Sequence, residues 1–120
     1  MRGLLIREPW ITYILDGRKT WEIRGGNCRI RGRIGLIRSG SGLVVGTAEI
    51  VDSKGPLSDE EMRANVSKHC IPPEALDGIR KRYKNIYAWV LTNAKPLPKP
   101  LSYVHSKGAI KWVKIPDIPP

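Results

Sequence analysis

The sequence predicts a small barrel-like α+β domain of five to six short strands with two to three short helices. Three observations lead there. Short apolar runs alternate with polar residues and are bounded by glycine, proline and serine turns. A capping box and two proline-led stretches mark the starts of short helices. Strands outnumber helices, and neither a repeat nor a long linker divides the chain, so the expectation is one domain over residues 1–120.

The elements follow in order. Residues 3–6 are a short apolar run suited to an opening strand. The stretch REPWITYILDGRKT reads as a helix. Pro9 suits its first turn, Trp10, Tyr13 and Ile14 fall at helical spacing, and Gly17 is a C-terminal stop. Residues 20–24 alternate Trp21 and Ile23 with Glu22 and Arg24, as a strand does. Strands at 33–38 and 43–51 flank an SGSG turn at 39–42. Ser58 with Glu61 three residues on starts a second helix, and PPEALDGIRKRY offers a third. IYAWVLT at 86–92 is a buried strand. The proline-rich AKPLPKPLS that follows is an extended edge segment, because proline cannot donate to a ladder. AIKWVKI at 109–115 closes the chain as an alternating strand.

The composition, 41% hydrophobic and 27% charged, is that of a folded protein and excludes a disordered tail. Lys and Arg number 21 against 11 Asp and Glu, a net charge of +10. In so short a chain that surplus makes nucleic acid or another polyanion the leading partner class, with a basic surface serving solubility as the rival reading. No apolar stretch approaches the roughly 20 residues that span a bilayer, and the N-terminal apolar run is too short for an export signal. The expectation is a cytoplasmic monomer with no membrane partner. Cys28 and Cys70 lie far apart without a CxxC, and with His69 and His105 they match no ligand spacing, so no metal is expected. No P-loop or GxGxxG occurs, and no cofactor is expected. Free thiols are the default, with a disulfide left open.

The chemistry concentrates in GRKTWEIRGGNCRIRGR, residues 17–33, where Arg18, Lys19, Arg24, Arg29, Arg31 and Arg33 surround the single acid Glu22. Arg29, Arg31 and Arg33 alternate, so in an extended segment they form a row with steps of about 7 Å. Such a row suits phosphate contact, which supplies affinity without sequence preference. If residues 20–24 are extended, Thr20, Glu22 and Arg24 share one face while Trp21 and Ile23 point into the core. Glu22 then either pins the helix to the barrel through Arg24 or Lys19, or it orients a base or activates water while the cations hold a phosphate or oxyanion. Glu49, in the apolar strand VGTAEI, must face solvent or be paired, because a buried unpaired charge is too costly. Trp21, Trp89 and Trp112 alternate with apolar neighbours and read as core. Tyr103, His105 and Lys107 lie in the loop SYVHSKG, with His105 equally an ordinary solvated histidine. Ser39 and Ser41 either touch a phosphate or simply build a hairpin turn, and His69 is given no role.

The order EPWITYILDGRKTWEIR, a basic strand, VGTAEI and a closing GAIKWVKI resembles the ASCH domain (activating-signal-cointegrator homology domain) of the PUA-like β-barrel superfamily. The family's G-x-K-x-x-E-x-R pattern is matched by Gly17, Lys19, Glu22 and Arg24, and its Pro-Trp pair by Pro9 and Trp10. The resemblance implies a small PUA-like barrel with a cleft lined by this motif and a link to RNA and modified nucleosides. Trp10 and Tyr13 would border that cleft, where either can stack on a base. Some members resemble amidohydrolases acting on N4-acetylcytidine, others ribonucleases or plain binding modules. In the amidohydrolase branch a Glu at the strand position of Glu49 joins the motif Lys, here Lys19, and a Thr. Glu22 stands where that Thr would be, which weakens a threonine mechanism.

The resulting expectation is a domain that binds RNA or a modified nucleoside, with DNA left open. Its nucleic-acid contacts would come from Trp10, Arg18, Arg24, Arg29, Arg31, Arg33, Tyr103 and Lys107. The alternative is a small metal-independent hydrolase of acylated nucleosides or RNA using Lys19, Glu22 and Glu49. A third reading is a protein-interaction module whose basic surface meets an acidic partner.

Overall fold

Alternation and turn chemistry organise the chain around one curled sheet. The computed structural model describes residues 1–120. Its elements are β1 (Arg2–Ile6), α1 (Trp10–Leu15), β2 (Trp21–Arg24), β3 (Gly32–Arg38), β4 (Leu43–Lys54), α2 (Asp59–Ala64), α3 (Val66–His69), α4 (Leu76–Arg82), β5 (Tyr87–Ser102) and β6 (Trp112–Lys114). The six strands run in the order β2-β5-β4-β3-β1-β6. β1 and β3 pair in parallel, and every other neighbouring pair is antiparallel. The result is a six-stranded half-barrel with four short helices, an α+β fold.

Both faces of β1 are covered, which is why residues 3–6 form a continuous apolar run. Leu4 and Ile6 point into the main core with Ile11, Ile14, Ile34, Leu36 and Trp89, while Leu5 joins a second cluster beneath the C-terminal segment. A third cluster, built on Trp21 and Ile23 of β2, packs under the helices through Met62, Ile71 and Leu76. Truncating a fully buried member such as Ile14 to Ala costs about 2–5 kcal/mol.

Helix α1 sits hard against the sheet. A Cβ at Gly46 would fall 2.4 Å from Leu15 Cδ2 and 2.7 Å from the Lys95 carbonyl oxygen, so only glycine permits this approach. The helix begins only at Trp10 and stops before Gly17 as expected, where the chain turns into left-handed backbone at φ 87°. That stop places Lys19 just ahead of β2.

Other boundaries also differ. The Ser58–Glu61 capping box starts α2 as expected. The one-turn α3 was not foreseen, and it makes four helices where two or three were expected. The proline-rich segment is a continuation of β5, not a separate piece. Its edge character still holds, since β2 covers β5 only from Tyr87 to Val90 and β4 alone pairs with the proline-rich part. The closing strand spans only Trp112–Lys114, with Trp112 stacked on Trp89 at 5.8 Å between centroids. Cys28 and Cys70 are both free thiols. No helix is long and apolar enough to cross a membrane.

Candidate nucleoside and nucleic-acid site

The junction of α1 and β2 places Lys19, Glu22 and Arg24 at the floor of a cleft of about 700 Å³. Strand alternation turns Trp21 and Ile23 into the helix-covered cluster and leaves Glu22 and Arg24 on the other face. That face is not open to solvent: Lys19 is 2% exposed and Glu22 5%.

Each floor group is held from a distant part of the chain. The Lys19 ammonium donates to the His69 carbonyl at 2.7 Å, lies 3.8 Å from Glu22 Oε1, and sits 5.1 Å from the Trp10 ring centroid. Burial pushes its pKa down from 10.5 to about 8, against the pull of Glu22, which favours the charged form. Arg24 donates through Nε and Nη2 to Glu22 Oε2 at 2.9 and 2.8 Å, and Nη2 also reaches the Leu5 carbonyl at 2.7 Å. Glu22 Oε2 is therefore saturated, whereas Oε1 is left facing Lys19 and the cleft. A carboxylate oxygen beside an ammonium offers an acceptor next to a donor, the complement of a nucleobase edge.

His69, to which no role was assigned, is buried at 1% exposure and holds Lys19 through its carbonyl. Its Nδ1 accepts from the Ile71 N–H at 2.9 Å, so Nε2 carries the proton and donates to the Met62 carbonyl at 2.7 Å. This neutral ring braces the turn that fixes Lys19.

The walls mix expected and unexpected residues. Trp10, Tyr103, His105 and Ser39 all line the cleft. Tyr103 and His105 are linked, with Oη to Nδ1 at 2.9 Å, and His105 Nε2 lies 3.0 Å from the Ala109 carbonyl. Sequence reasoning missed Arg7, Arg82, Tyr83 and Ile110, which come from three separate places in the chain. Only the basic-aromatic RKRY at the end of α4 offered a signal for two of them.

Other candidate residues are placed elsewhere. Glu49 does not line the cleft; it accepts from Asn93 Nδ2 at 2.9 Å and pairs in register with Arg33 and Thr92. The set Lys19, Glu22 and Glu49 is thus not brought together, because β4 turns Glu49 away from the β2 floor. Arg18 is exposed and paired with Asp16 at 2.7 Å, Tyr13 lies beneath Arg18 at 4.1 Å, and Lys107 is exposed outside the cleft.

The arginine row does not form a uniform charged ladder. Arg31 donates to the Cys28 and Ile30 carbonyls, and Arg33 donates to the Ile118 and Pro119 carbonyls, so both tie backbone. Arg29 is exposed and makes no such bond. All three lie outside the cleft. Ser41 builds the hairpin turn through the Arg38 carbonyl and the Leu43 N–H. No group of three His, Cys, Asp or Glu converges anywhere in the structure.

Comparison with known proteins agrees with this fold. No curated protein matches the chain in sequence. The fold is similar to the crystal structure of ASCH from Zymomonas mobilis, with a TM-score of 0.72 at 14% identity, covering 84% of this chain and 72% of that one. Two single-site mutants of the same Zymomonas mobilis protein give TM-scores of 0.70 and 0.65 at 15% and 16% identity. Each covers 84% of this chain, and 74% and 72% of theirs. The architecture is thus the small α+β PUA-like barrel that the resemblance implied. The family model for the ASCH domain matches residues 4–101, a span that runs from within β1 through most of β5 and holds the whole Lys19–Glu22–Arg24 floor, and the chain belongs to the ASCH domain family.

Proposed function

We propose that this ASCH domain binds RNA or a modified nucleoside in the cleft, with the base seated on the Lys19–Glu22–Arg24 floor. The observation that carries the reading is the free Oε1 of Glu22 beside the Lys19 ammonium, at 3.8 Å, inside a cleft walled by Trp10, Tyr83 and Tyr103. Donor and acceptor read a base edge, and aromatic walls stack on its face. The test is titration with nucleosides, N4-acetylcytidine among them, and with single-stranded RNA and DNA, following the Trp10 indole resonance. Saturable shifts at Trp10 support the reading. Binding that leaves Trp10 untouched sinks it.

One observation favours a second reading, a small metal-independent hydrolase of acylated nucleosides or RNA. Burial lowers the Lys19 pKa to about 8, so a minor fraction of its amine is neutral near pH 7 beside the Glu22 carboxylate, a starting point for general-base work. Glu49 lies outside the cleft and Glu22 replaces the branch's threonine, so the amidohydrolase constellation is not reproduced. Incubation with N4-acetylcytidine and with single-stranded RNA, reading product as well as binding, separates the two readings.

A further inference from the structure

We infer that the ligand of this cleft carries a phosphate, gripped at the rim by Arg7 and Arg82; the inference rests on the base-binding reading above. The cleft is lined by the cations Arg7, Lys19, Arg24 and Arg82 and by a single carboxylate, Glu22. The two tiers differ. At the floor, Lys19 and Arg24 are buried or half-buried, and both are engaged by Glu22 and by backbone carbonyls. At the rim, Arg7 and Arg82 are exposed and take part in none of the ion pairs of the structure.

Their neighbours make the contrast plain. Arg38 is paired with Glu8, and Arg80 is bound to Asp59 and the Leu57 carbonyl. Arg31 and Arg33, in the row expected to grip phosphate, tie backbone carbonyls outside the cleft. Arg7 follows β1 and Arg82 ends α4, so elements far apart in sequence place two unpaired guanidiniums at one opening. Arg82 lies 5.5 Å from the Tyr83 ring centroid. The Ser39 hydroxyl, which makes no hydrogen bond within the chain, lines the same cleft. A guanidinium with free donors is the fork that matches phosphate oxygens bidentately. A neutral nucleoside would leave both rim cations without an anion. A nucleotide satisfies the floor with its base and the rim with its phosphate.

The phosphate belongs either to a mononucleotide or to the backbone of a strand, and the test separates them. Binding is measured by calorimetry for each of the four ribonucleosides and N4-acetylcytidine, for the 5′-monophosphate of each, and for a dinucleotide with one internal phosphodiester and no terminal phosphate. At least one phosphate-bearing arm should bind on the order of 10-fold tighter than its nucleoside. Preference for the monophosphate marks a strand end or free nucleotide; preference for the dinucleotide marks an internal strand position. In the double variant R7Q/R82Q the ratio should fall toward one. Equal affinity of nucleoside and phosphate-bearing arms in the unsubstituted protein overturns the inference and leaves the base reading standing. A preference that survives R7Q/R82Q overturns it as well. Absence of binding in every arm overturns both.

Discussion

One oxygen of Glu22 takes two of the three Arg24 hydrogen bonds, at 2.9 and 2.8 Å, while the other faces the Lys19 ammonium at 3.8 Å. A single buried carboxylate therefore balances two cations, and it does so asymmetrically. Breaking a buried ion pair by removing one partner is costly, because the other charge stays buried without compensation. The motif carboxylate thus braces the fold and offers a recognition atom at the same time. Pinning the helix to the barrel and reading a ligand are not exclusive roles here.

Glu22→Gln tests this dual role. The amide keeps the shape and one acceptor but removes the only anion at the floor. Stability should fall by about 1–3 kcal/mol, the scale for a buried polar group left without its partner. Nucleoside affinity should fall with it, since the free oxygen no longer carries charge. The Lys19 pKa should also drop further below about 8, because Glu22 is what supports its charged form. Thermal melts, calorimetric titration and the pH-dependence of Lys19 resonances read the three effects. A variant unchanged in stability and affinity would remove the floor from the site.

Lys19 should make stability rise at alkaline pH. Its pKa is about 8 in the folded chain against an ordinary 10.5, so between those values the unfolded state binds more protons. The cost of burying the charged amine is present in full below pH 8, is relieved as pH rises from 8 toward 10.5, and is gone above that. Denaturant unfolding over pH 7–11 should show this rising component, and Lys19→Met should remove it. A component of the same size in Lys19→Met would refute the assignment.

His69 should act at the other end of the pH scale. Burial holds its pKa below the ordinary 6.5, and its Nδ1 has no proton to spare because it accepts from Ile71. Stability from this group is complete above pH 6.5 and is lost as pH falls below it toward the depressed folded value. Since the His69 carbonyl holds Lys19, acid should loosen the floor before the whole domain unfolds. Proton NMR of the His69 ring together with the Trp10 indole over pH 4.5–7.5 checks this. A ring that titrates at or above 6.5 would contradict it.

The arginine row should split by role. Arg33→Gln removes donors from the Ile118 and Pro119 carbonyls and should cost about 0.5–1.5 kcal/mol, seen as a lower melting temperature. Arg29→Gln should leave stability unchanged, because Arg29 makes no hydrogen bond within the chain. If Arg29 meets an RNA phosphate, its loss makes the log–log salt dependence of binding shallower by about 0.7. A salt dependence that changes with Arg33 and not with Arg29 would reverse this assignment.

Much of the fold was legible because its signals are local. The Ser58–Glu61 capping box, the left-handed Gly17 and the alternation across residues 20–24 each depend on neighbours within a few positions. Helix α3 carried no such signal. Its last turn is tied in by the Thr20 N–H donating to the Lys68 carbonyl, a bond between segments far apart in the chain. The proline-rich segment was read correctly as edge-like, but its continuity with β5 depends on where β2 ends.

The sequence by itself determined the floor of the site. Lys19, Glu22 and Arg24 lie within six residues, and a helix stop followed by an alternating strand is enough to bring them together. Only the tertiary structure decided what that cluster faces. The packing of helices on the sheet sets Arg7 and Arg82 at one cleft and lays the His69 carbonyl on Lys19, while the pairing of β4 with β5 turns Glu49 toward Asn93. The physical reason is range. Backbone alternation and capping are settled by adjacent residues, whereas burial, which moves the Lys19 pKa to about 8, is settled by chain that arrives some fifty positions later.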